Sequence, residues 1–278
     1  MTGTALWIAA ARARESTRPD ALFHDPWAAA LAGPLGQARL EASERASGGQ
    51  NAYLPVRTRF FDDVVVAADW AQQVVLLGAG MDTRAYRLGL AKSTTVFEVD
   101  HAEIFTARRR ILRDAPATCR RVEVVADLAG GWGPLVRASG LDPQMATLWL
   151  AEGLLFYLSE DAVGRLLSAA SDLSRSRALF AADLFGTGLL RLSSMQSLVE
   201  HRRSIGAPMP FCTDEPAALL SAGGWQVETL ANPGAMAVAY GRPIAHRPVV
   251  YAGSDPTMRT YLALGSRPPH GPAPAPVR

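Results

Sequence analysis

The hydrophobic pattern alternates along the chain between short apolar runs and longer stretches in which apolar residues recur at helical spacing. The runs contain few polar residues, which is typical of strands buried on both faces of a parallel sheet. Between them, Phe60, Val64 and Ala68 repeat with the period of an amphipathic helix. The alternation predicts an α/β fold with a doubly wound, mostly parallel sheet. Predicted strands lie at 74–77, in a run that ends at residue 100, at the start of 120–132, at the start of 146–163, and at 178–185, 226–230 and 235–242, the last one antiparallel to its neighbours.

Helical segments surround the predicted sheet. Thr4–Glu15, a helix that starts at Asp25-Pro26 and the amphipathic segment Val56–Ala71 all precede or flank the first strand. The segment Glu103–Arg113 is a basic helix, and its three consecutive arginines, Arg108 to Arg110, predict a solvated helix face in preference to a phosphate site. These helices are expected to cover the faces of the sheet.

A glycine-rich turn follows the first predicted strand. Four apolar residues run directly into Gly78-Ala79-Gly80, and Asp82 or Thr83 could cap the helix that follows. Glycines at this place let the backbone turn sharply and approach a ligand closely. The third glycine of the dinucleotide pattern is missing, so a nicotinamide site is the weaker interpretation. A tight turn without any ligand is the structural alternative.

An acidic residue ends the second predicted strand. Asp100 lies 22 residues after Gly78, near the roughly 20-residue spacing of a carboxylate that accepts hydrogen bonds from ribose hydroxyls. Glu98 lies on the same side of the strand and is the next candidate. The spacing therefore predicts an adenosine site at the carboxyl end of the sheet.

Composition narrows the classes of function. A chain of 278 residues with a formal charge of +2 and no basic stripe does not indicate a nucleic-acid partner. Cys119 and Cys212 are isolated, as expected in a reducing cytoplasm. Arg12 and Arg14 interrupt the apolar N-terminal stretch, so neither a signal peptide nor a membrane anchor is expected. The five histidines are scattered without metal-ligand spacing, and we predict catalysis without a metal.

Several motifs in order along the chain resemble the leucine carboxyl methyltransferase family. They read LLGAGMDTRAYRL from Leu76 to Leu88, FEVD up to Asp100, ADL at Ala126–Leu128 and LAEGLLFYL at Leu150–Leu158. The resemblance runs from about residue 4 to about residue 241. The family uses S-adenosylmethionine and includes many bacterial O-methyltransferases. Members often carry proline where this chain has Ala102, which alters a turn and leaves the carboxylate of Asp100 in place.

The resemblance implies roles for individual residues. Arg57 would bind the methionine carboxylate of the cofactor, whereas Arg59 is more simply a surface partner of Asp62 or Asp63. Asp127 would take the adenine amine, although an aspartate at a strand end is also an ordinary helix cap. Arg12 matches the family only loosely and is interpreted as structural. The predicted cofactor-binding residues are Arg57, Gly78, Gly80, Asp100, Asp127, Leu128 and Glu152.

The resemblance also implies an organisation into one domain. Residues 1–265 form a single Rossmann-like methyltransferase domain in which 1–55 is a helical cover and 186–212 a helical lid insertion. The apolar segment 186–210 is too long for a plain connection, and a lid there would contact the acceptor. Residues 266–278 are proline-rich and expected to be disordered. Candidate substrate-binding residues are Tyr157, Leu189, Met195 and His201.

We therefore expect a cytoplasmic S-adenosylmethionine-dependent O-methyltransferase. Its acceptor would be a carboxylate or a phenolic hydroxyl of a small bacterial metabolite, as in natural product biosynthesis, without a nucleic-acid or membrane partner. The catalytic residues and the oligomeric state are left open. Alternatives are a protein or peptide carboxyl methyltransferase, a nicotinamide-dependent oxidoreductase and a cofactor-binding module without catalysis.

Overall fold

The computed structural model of the protein describes residues 2–204, 206, 209–242 and 256–267. Seven strands form one sheet in the order β3-β2-β1-β4-β5-β7-β6. Strands β1 to β5 pair in parallel, and β7 pairs antiparallel with both β5 and β6. The prediction of a doubly wound, mostly parallel sheet is thereby confirmed. The strands are β1 (Gln73–Leu77), β2 (Thr95–Asp100), β3 (Arg120–Val125), β4 (Thr147–Ala151), β5 (Ala178–Phe185), β6 (Gln226–Ala231) and β7 (Thr260–Ser266).

Helices cover both faces of the sheet. Short 3-10 turns add to them after β4 (Leu155–Tyr157), after β5 (Thr187–Arg191) and before β7 (Pro256–Met258). None of the described helices combines the length and apolar character that a membrane span requires. The α-helices are α1 (Thr2–Ser16), α2 (Ala28–Ser47), α3 (Tyr53–Ala67), α4 (Arg84–Arg87), α5 (Ala102–Leu112), α6 (Trp132–Ala138), α7 (Glu160–Asp172), α8 (Ser193–Ser204), α9 (Pro216–Ala222) and α10 (Pro233–Ala239).

Strand β1 shows why its sequence is apolar throughout. All five of its residues are buried. Val74 and Leu76 pack into a cluster with residues of α1, α2 and α3 on one face. Val75 and Leu77 point the other way and pack with residues of α6 and α7. Successive strand residues alternate between faces, so a strand covered on both sides needs an unbroken apolar run.

Helix α7 begins where the sequence predicts. The Ser159 hydroxyl accepts a hydrogen bond from the Ala162 amide at 3.3 Å, and Glu160 and Asp161 lie in the first turn. The four predicted inward residues are all fully buried, namely Val163, Leu166, Leu167 and Ala170.

The prediction of a strand at 235–242 is wrong. This segment contributes to helix α10, whose Asn232 side chain accepts from the amides of Gly234 and Ala235. Asparagine followed by proline is a helix start, because proline at the first turn loses no helical hydrogen bond. The last strand is β7 instead.

The prediction of disorder from residue 266 is wrong at its first residue. Ser266 pairs with Leu179 of β5 and Gln226 of β6. The backbone of Arg267 also donates to Ala178 at 3.0 Å. Residues 268–278 lie outside the described part of the structure.

Candidate active site

The order of the strands creates a cleft at their carboxyl ends. The chain leaves β1 in one direction towards β2 and β3 and returns to β4 on the other side of β1. Ligands of open α/β sheets bind at such a reversal point. A cavity of about 530 Å³ lies there, bounded by the loops after β1, β2 and β4 and by parts of α1 and α3.

Nearly all of the site residues predicted from the sequence line this cavity. Its lining includes every predicted cofactor residue and three of the four predicted substrate residues. The side chain of His201, the fourth, lies outside the described part of the structure. The residues in the lining are Arg57, Gly78, Gly80, Asp100, Asp127, Leu128, Glu152, Tyr157, Leu189 and Met195.

The glycine turn after β1 requires glycine for a conformational reason. Gly78 has φ +69° and Gly80 has φ +51°, a region in which a Cβ atom is strained. A Cβ on Gly78 would also lie 3.0 Å from Leu154 Cδ1. The amides of Gly78 and Ala79 donate to Val99 O at 2.9 and 3.1 Å, which ties the turn to the end of β2.

Asp100 fixes the glycine turn and faces the cavity. Its Oδ2 accepts from the Gly80 amide and its Oδ1 from the His101 amide, both at 2.7 Å. Each carboxylate oxygen has a further lone pair available for a hydroxyl donor. Glu98, the alternative candidate, is 0% exposed and paired with Arg108 and Arg121. The cavity therefore presents Asp100 and not Glu98.

The prediction of a solvated face for Arg108 is wrong, although Arg109 and Arg110 are exposed as predicted. Arg108 is 1% exposed. Its Nη2 donates to Glu98 Oε1 at 2.5 Å and to Asp82 O at 2.8 Å. Helix α5 packs this side against β2, where the buried carboxylate of Glu98 requires a cationic partner.

Asp127 and Leu128 lie at the far wall of the cavity. Asp127 is exposed, and its Oδ1 accepts from the Ala129 amide at 2.9 Å. Leu128 is 7% exposed and belongs to the apolar cluster below. A hydrogen bond two residues ahead is also the ordinary turn of an aspartate. The predicted contact with adenine therefore stays a prediction.

Arg57 is held by two carboxylates. Its Nε donates to Glu152 Oε1 at 3.1 Å and its Nη1 to Asp183 Oδ2 at 3.2 Å. Asp183 Oδ2 also accepts from the Tyr53 hydroxyl at 2.8 Å, and its Oδ1 accepts from the Gly153 amide at 2.6 Å. A Cβ on Gly153 would lie 2.8 Å from Arg57 Nη1. The guanidinium is thus locked at the carboxyl ends of β4 and β5.

A second arginine shares Glu152. Arg84 Nη2 pairs with Glu152 Oε2 at 2.7 Å, and Arg84 Nε donates to Asp62 Oδ1 at 2.8 Å. Burial alone would raise the pKa of Glu152, but Arg84 and Arg57 together hold that pKa below its usual value. Burial likewise opposes ionisation of Asp82, and Arg84 outweighs it and lowers the pKa of Asp82. Both carboxylates are therefore charged at neutral pH.

The linked ion pairs carry one excess negative charge. Four arginines line the cavity, and each donates to a carboxylate. Four guanidinium groups against five carboxylates leave a single uncompensated negative charge in this network. Its members are Arg12, Arg57, Arg84 and Arg87 with Asp25, Asp62, Asp82, Glu152 and Asp183.

Sequence reasoning missed most of this network. A signal for Asp183 was present, because it is a charged residue in the middle of the otherwise apolar strand β5. Buried charges are rare unless they are paired. Arg84 and Arg87 also stood within the quoted glycine motif, three residues apart on one helical face. The sequence does not state which carboxylates they meet, since these come from distant elements.

Arg57 and Arg59 are expected to respond differently to lysine. Arg57→Lys should weaken binding of S-adenosylhomocysteine by about tenfold or more, because an ammonium cannot hold two carboxylates and a ligand in the same planar geometry. Arg59 lies outward, 39% exposed, with Asp63 Oδ1 2.7 Å from its Nε. Arg59→Lys should be nearly silent. Calorimetry on both variants tests this, and the opposite pattern would reverse the two roles.

Apolar side chains form much of the remaining lining. They come from α1, α3, the end of β5, α8 and the turns after β4 and β5. Phe156 packs edge-to-face against both Tyr157 and Phe185, with ring centroids 5.7 and 5.6 Å apart. We call this part the apolar arm, and its residues are Trp7, Ile8, Leu54, Phe156, Tyr157, Phe185, Leu189 and Met195.

Solved structures share this fold. A crystal structure of a DUF574 family protein from Streptomyces avermitilis matches with a TM-score of 0.60 and 15% identity over 94% of this chain and 97% of that one. A methyltransferase candidate from Thermobifida fusca matches with a TM-score of 0.58 and 17% identity over 84% and 89% of the two chains. At these identities the likeness concerns the fold alone.

Comparisons of sequence identify the family as well as the fold. A candidate S-adenosyl-L-methionine-dependent methyltransferase of Streptomyces avermitilis is 37% identical over 88% of this chain and 89% of its own length. One from Frankia alni is 38% identical over 86% and 88% of the two chains. The model of the leucine carboxyl methyltransferase family matches residues 5–171, more than half of the chain. The protein belongs to the leucine carboxyl methyltransferase family.

Proposed function

We propose that the protein transfers the methyl group of S-adenosylmethionine to an oxygen atom of a small metabolite. The observation that carries this proposal is one cavity whose lining combines polar groups that suit the cofactor with many apolar and aromatic side chains. The polar groups are the glycine turn, Asp100 and a linked set of ion pairs, and the apolar side chains include those of the apolar arm. The names of the relatives support the choice of cofactor.

The residues at the polar end fit this cofactor. Asp100 would accept from the ribose hydroxyls, Leu128 would contact adenine, and Arg57 would face the methionine carboxylate. At neutral pH the cofactor carries a sulfonium, an ammonium and a carboxylate, hence one net positive charge. The ion-pair network has one more carboxylate than guanidinium groups, and the carboxylates of Asp100 and Asp127 also line the cavity, so its charge favours a ligand with a net positive charge. When bound, the cofactor supplies an electrophilic methyl group for direct displacement.

The protein itself would contribute alignment and exclusion of water. An acceptor in the apolar arm is desolvated and held close to the polar end, which raises the chance of an in-line approach. Ion pairs keep Glu152 and Arg57 rigid where they line the cavity.

A neutral hydroxyl fits the acceptor end better than a carboxylate. Each arginine that lines the cavity already donates to a carboxylate, and the apolar arm is built from apolar and aromatic residues. The carboxylates of the network, together with Asp100 and Asp127, outnumber the arginines, so an anionic acceptor would enter a desolvated space without a free counter-charge. We therefore propose a planar phenolic or similar hydroxyl metabolite, which stacks on rings such as Phe156. Its oxygen would form a bond to the methyl group as the sulfur–methyl bond breaks, S-adenosylhomocysteine would leave, and the hydroxyl proton would pass to water.

The segment after β5 is proposed as an acceptor-selecting lid. Leu189 and Met195 line the cavity from the 3-10 turn and from α8. Alanine at Leu189, Met195 or His201 should change the acceptor KM or kcat in at least one variant and leave the affinity for S-adenosylhomocysteine nearly constant. Val238→Ala, at an apolar position that is 66% exposed, is the control. Unchanged acceptor kinetics in all three variants would make the segment a packing element.

Transfer of a labelled methyl group tests the proposed function. The enzyme is incubated with methyl-labelled S-adenosylmethionine and a bacterial extract separated into low-mass and protein fractions. We expect label in the low-mass fraction, in an alkali-stable ether. Label on protein as an alkali-labile ester would instead support a protein carboxyl methyltransferase. Binding of NAD, together with no transfer of label to either fraction, would support an oxidoreductase.

A further inference from the structure

A second hollow lies beside the C-terminal half of α5. It has a volume of about 400 Å³ and is bounded by α4, α5 and β3. Five of its eight lining residues are arginines. We call it the arginine hollow, and its residues are Tyr86, Arg108, Arg109, Arg110, Leu112, Arg113, Arg121 and Glu123.

Two arginines that line the arginine hollow have buried donors without a partner among the described residues. Arg108 is 1% exposed, and its Nε and Nη1 have no hydrogen-bond partner among the described residues. The Nε of Arg121 is also buried without a partner. Buried guanidinium groups normally use their donors, because water is not available to replace a missing acceptor. Both arginines pair with Glu98, and Arg121 also has Glu123 Oε1 at 3.5 Å.

The charge of the hollow is strongly positive. Glu98 and Glu123 are the carboxylates that its arginines pair with, so five guanidinium groups face two negative charges. Arg121 is held in place by stacking on Tyr86, with its Cζ 4.6 Å from the ring centroid. Arg110 and Arg113 are exposed at the rim.

We propose that the arginine hollow binds a small phosphoryl compound with several negative charges, such as a diphosphate group. A phosphoryl group has oxygens that point in several directions. It can therefore accept hydrogen bonds from N–H groups of two different guanidinium groups at the same time. An excess of three positive charges matches a diphosphate near neutral pH. The space is large enough for more than the inorganic anion, so a diphosphate ester would also fit.

The hollow adjoins the wall of the active site without opening into it. Arg108 Nη2 donates both to Glu98 Oε1 and to Asp82 O, and Asp82 lines the active-site cavity. An anion in the hollow would hold Arg108 from the opposite side. The proposal concerns this second site and does not depend on the reaction that we assign to the first.

Calorimetry with inorganic pyrophosphate tests the proposal. We expect one equivalent to bind, with affinity that falls as salt rises. Arg110→Ala/Arg113→Ala changes only exposed side chains and should weaken binding by about tenfold or more. Arg137→Ala/Arg175→Ala removes the same charge from exposed positions elsewhere and should change affinity less than about twofold.

A second variant addresses the buried donors of the hollow. Arg121→Lys keeps a positive charge beside Glu98 but loses the planar guanidinium fork, and it should weaken pyrophosphate binding by about tenfold or more. The melting temperature checks that the variant is folded, and saturating S-adenosylhomocysteine should leave wild-type binding intact. The absence of pyrophosphate binding in the wild type would overturn the proposal. An equal loss of pyrophosphate affinity in both double variants would also overturn it, because the anion would then bind by diffuse charge attraction. Displacement of pyrophosphate by S-adenosylhomocysteine would overturn it too, because the anion would then bind in the active-site cavity.

Discussion

Asp100→Ala is expected to weaken binding of S-adenosylhomocysteine by about 2–4 kcal/mol, roughly 30- to 700-fold in Kd, while the protein stays folded. Without the carboxylate, the two ribose hydroxyls would have no hydrogen-bond acceptor in a site that excludes water. The substitution would also release the Gly80 amide, which the carboxylate holds at 2.7 Å, and loosen the glycine turn. Calorimetry gives the affinity, and circular dichroism checks the fold.

Two matched variants separate these contributions. Asp100→Asn keeps one acceptor oxygen and should lie between wild type and alanine. Glu103→Ala removes an exposed acid in the first turn of α5, three residues away, and should leave the affinity unchanged. Unchanged affinity in Asp100→Ala would show that the ribose is held elsewhere. Glu98 could not take this role without breaking its pairs with Arg108 and Arg121.

Asp183→Asn is expected to lower the free energy of unfolding by about 3–5 kcal/mol. Asp183 is 1% exposed and accepts from Arg57, the Tyr53 hydroxyl and the Gly153 amide. The substitution removes one charge from a buried pair and turns an amide nitrogen towards donors. We expect the melting temperature to fall by about 10 °C. Glu41→Gln, in a surface pair with a 3.9 Å contact, is the control and should have almost no effect.

The same network predicts how stability depends on pH. A carboxyl whose pKa is lowered by folding contributes stability above its unfolded pKa and loses that contribution as the pH falls through the folded value. Glu152 and Asp82 are both of this kind. The melting temperature should therefore drop on acidification below about pH 4.5, and less steeply in Glu152→Gln. The ion pairs would not be structural if Asp183→Asn lowered the free energy of unfolding by less than about 1 kcal/mol and the melting temperature did not change on acidification.

Elements with a strong local signal could be predicted from the sequence. The strand at 178–185 was predicted with the bounds that β5 has, because it is apolar and flanked by polar turns. The helix at 160–172 was indicated by Ser159, which caps it, and by apolar residues at helical spacing. Arg59 pairs with Asp63, one of the two partners that the sequence offered. In each case neighbours along the chain decide the structure.

Features that depend on distant residues could not be predicted in the same way. Arg108 looks like its exposed neighbours in the sequence, and only the packing of α5 on β2 buries it beside Glu98. The predicted strand at 235–242 shows the same limit, because an apolar segment of this length suits a strand or a helix equally well. Asn232, followed by proline, is the local signal that favours the helix, and it caps the start of α10.

The candidate site was predictable in its outline. Glycines, Asp100 and Glu152 follow strand ends, and strand ends of a parallel sheet meet at one edge. The apolar arm was only partly foreseen, since Trp7 and Phe156 come from a helix and a turn that the sequence does not bring together. Its boundaries depend on how α1 and α8 are placed over the sheet.

A crystal structure of the protein with S-adenosylhomocysteine would locate the cofactor in the cavity. We expect the ribose on Asp100, the amino-acid end beside Arg57 and Glu152, and the sulfur facing the apolar arm next to Phe156. The arm between Leu189 and Met195 should then remain open for an acceptor. A ligand that occupies the apolar arm, or that binds outside the cavity and leaves Asp100 without a ribose contact, would contradict the proposed binding mode.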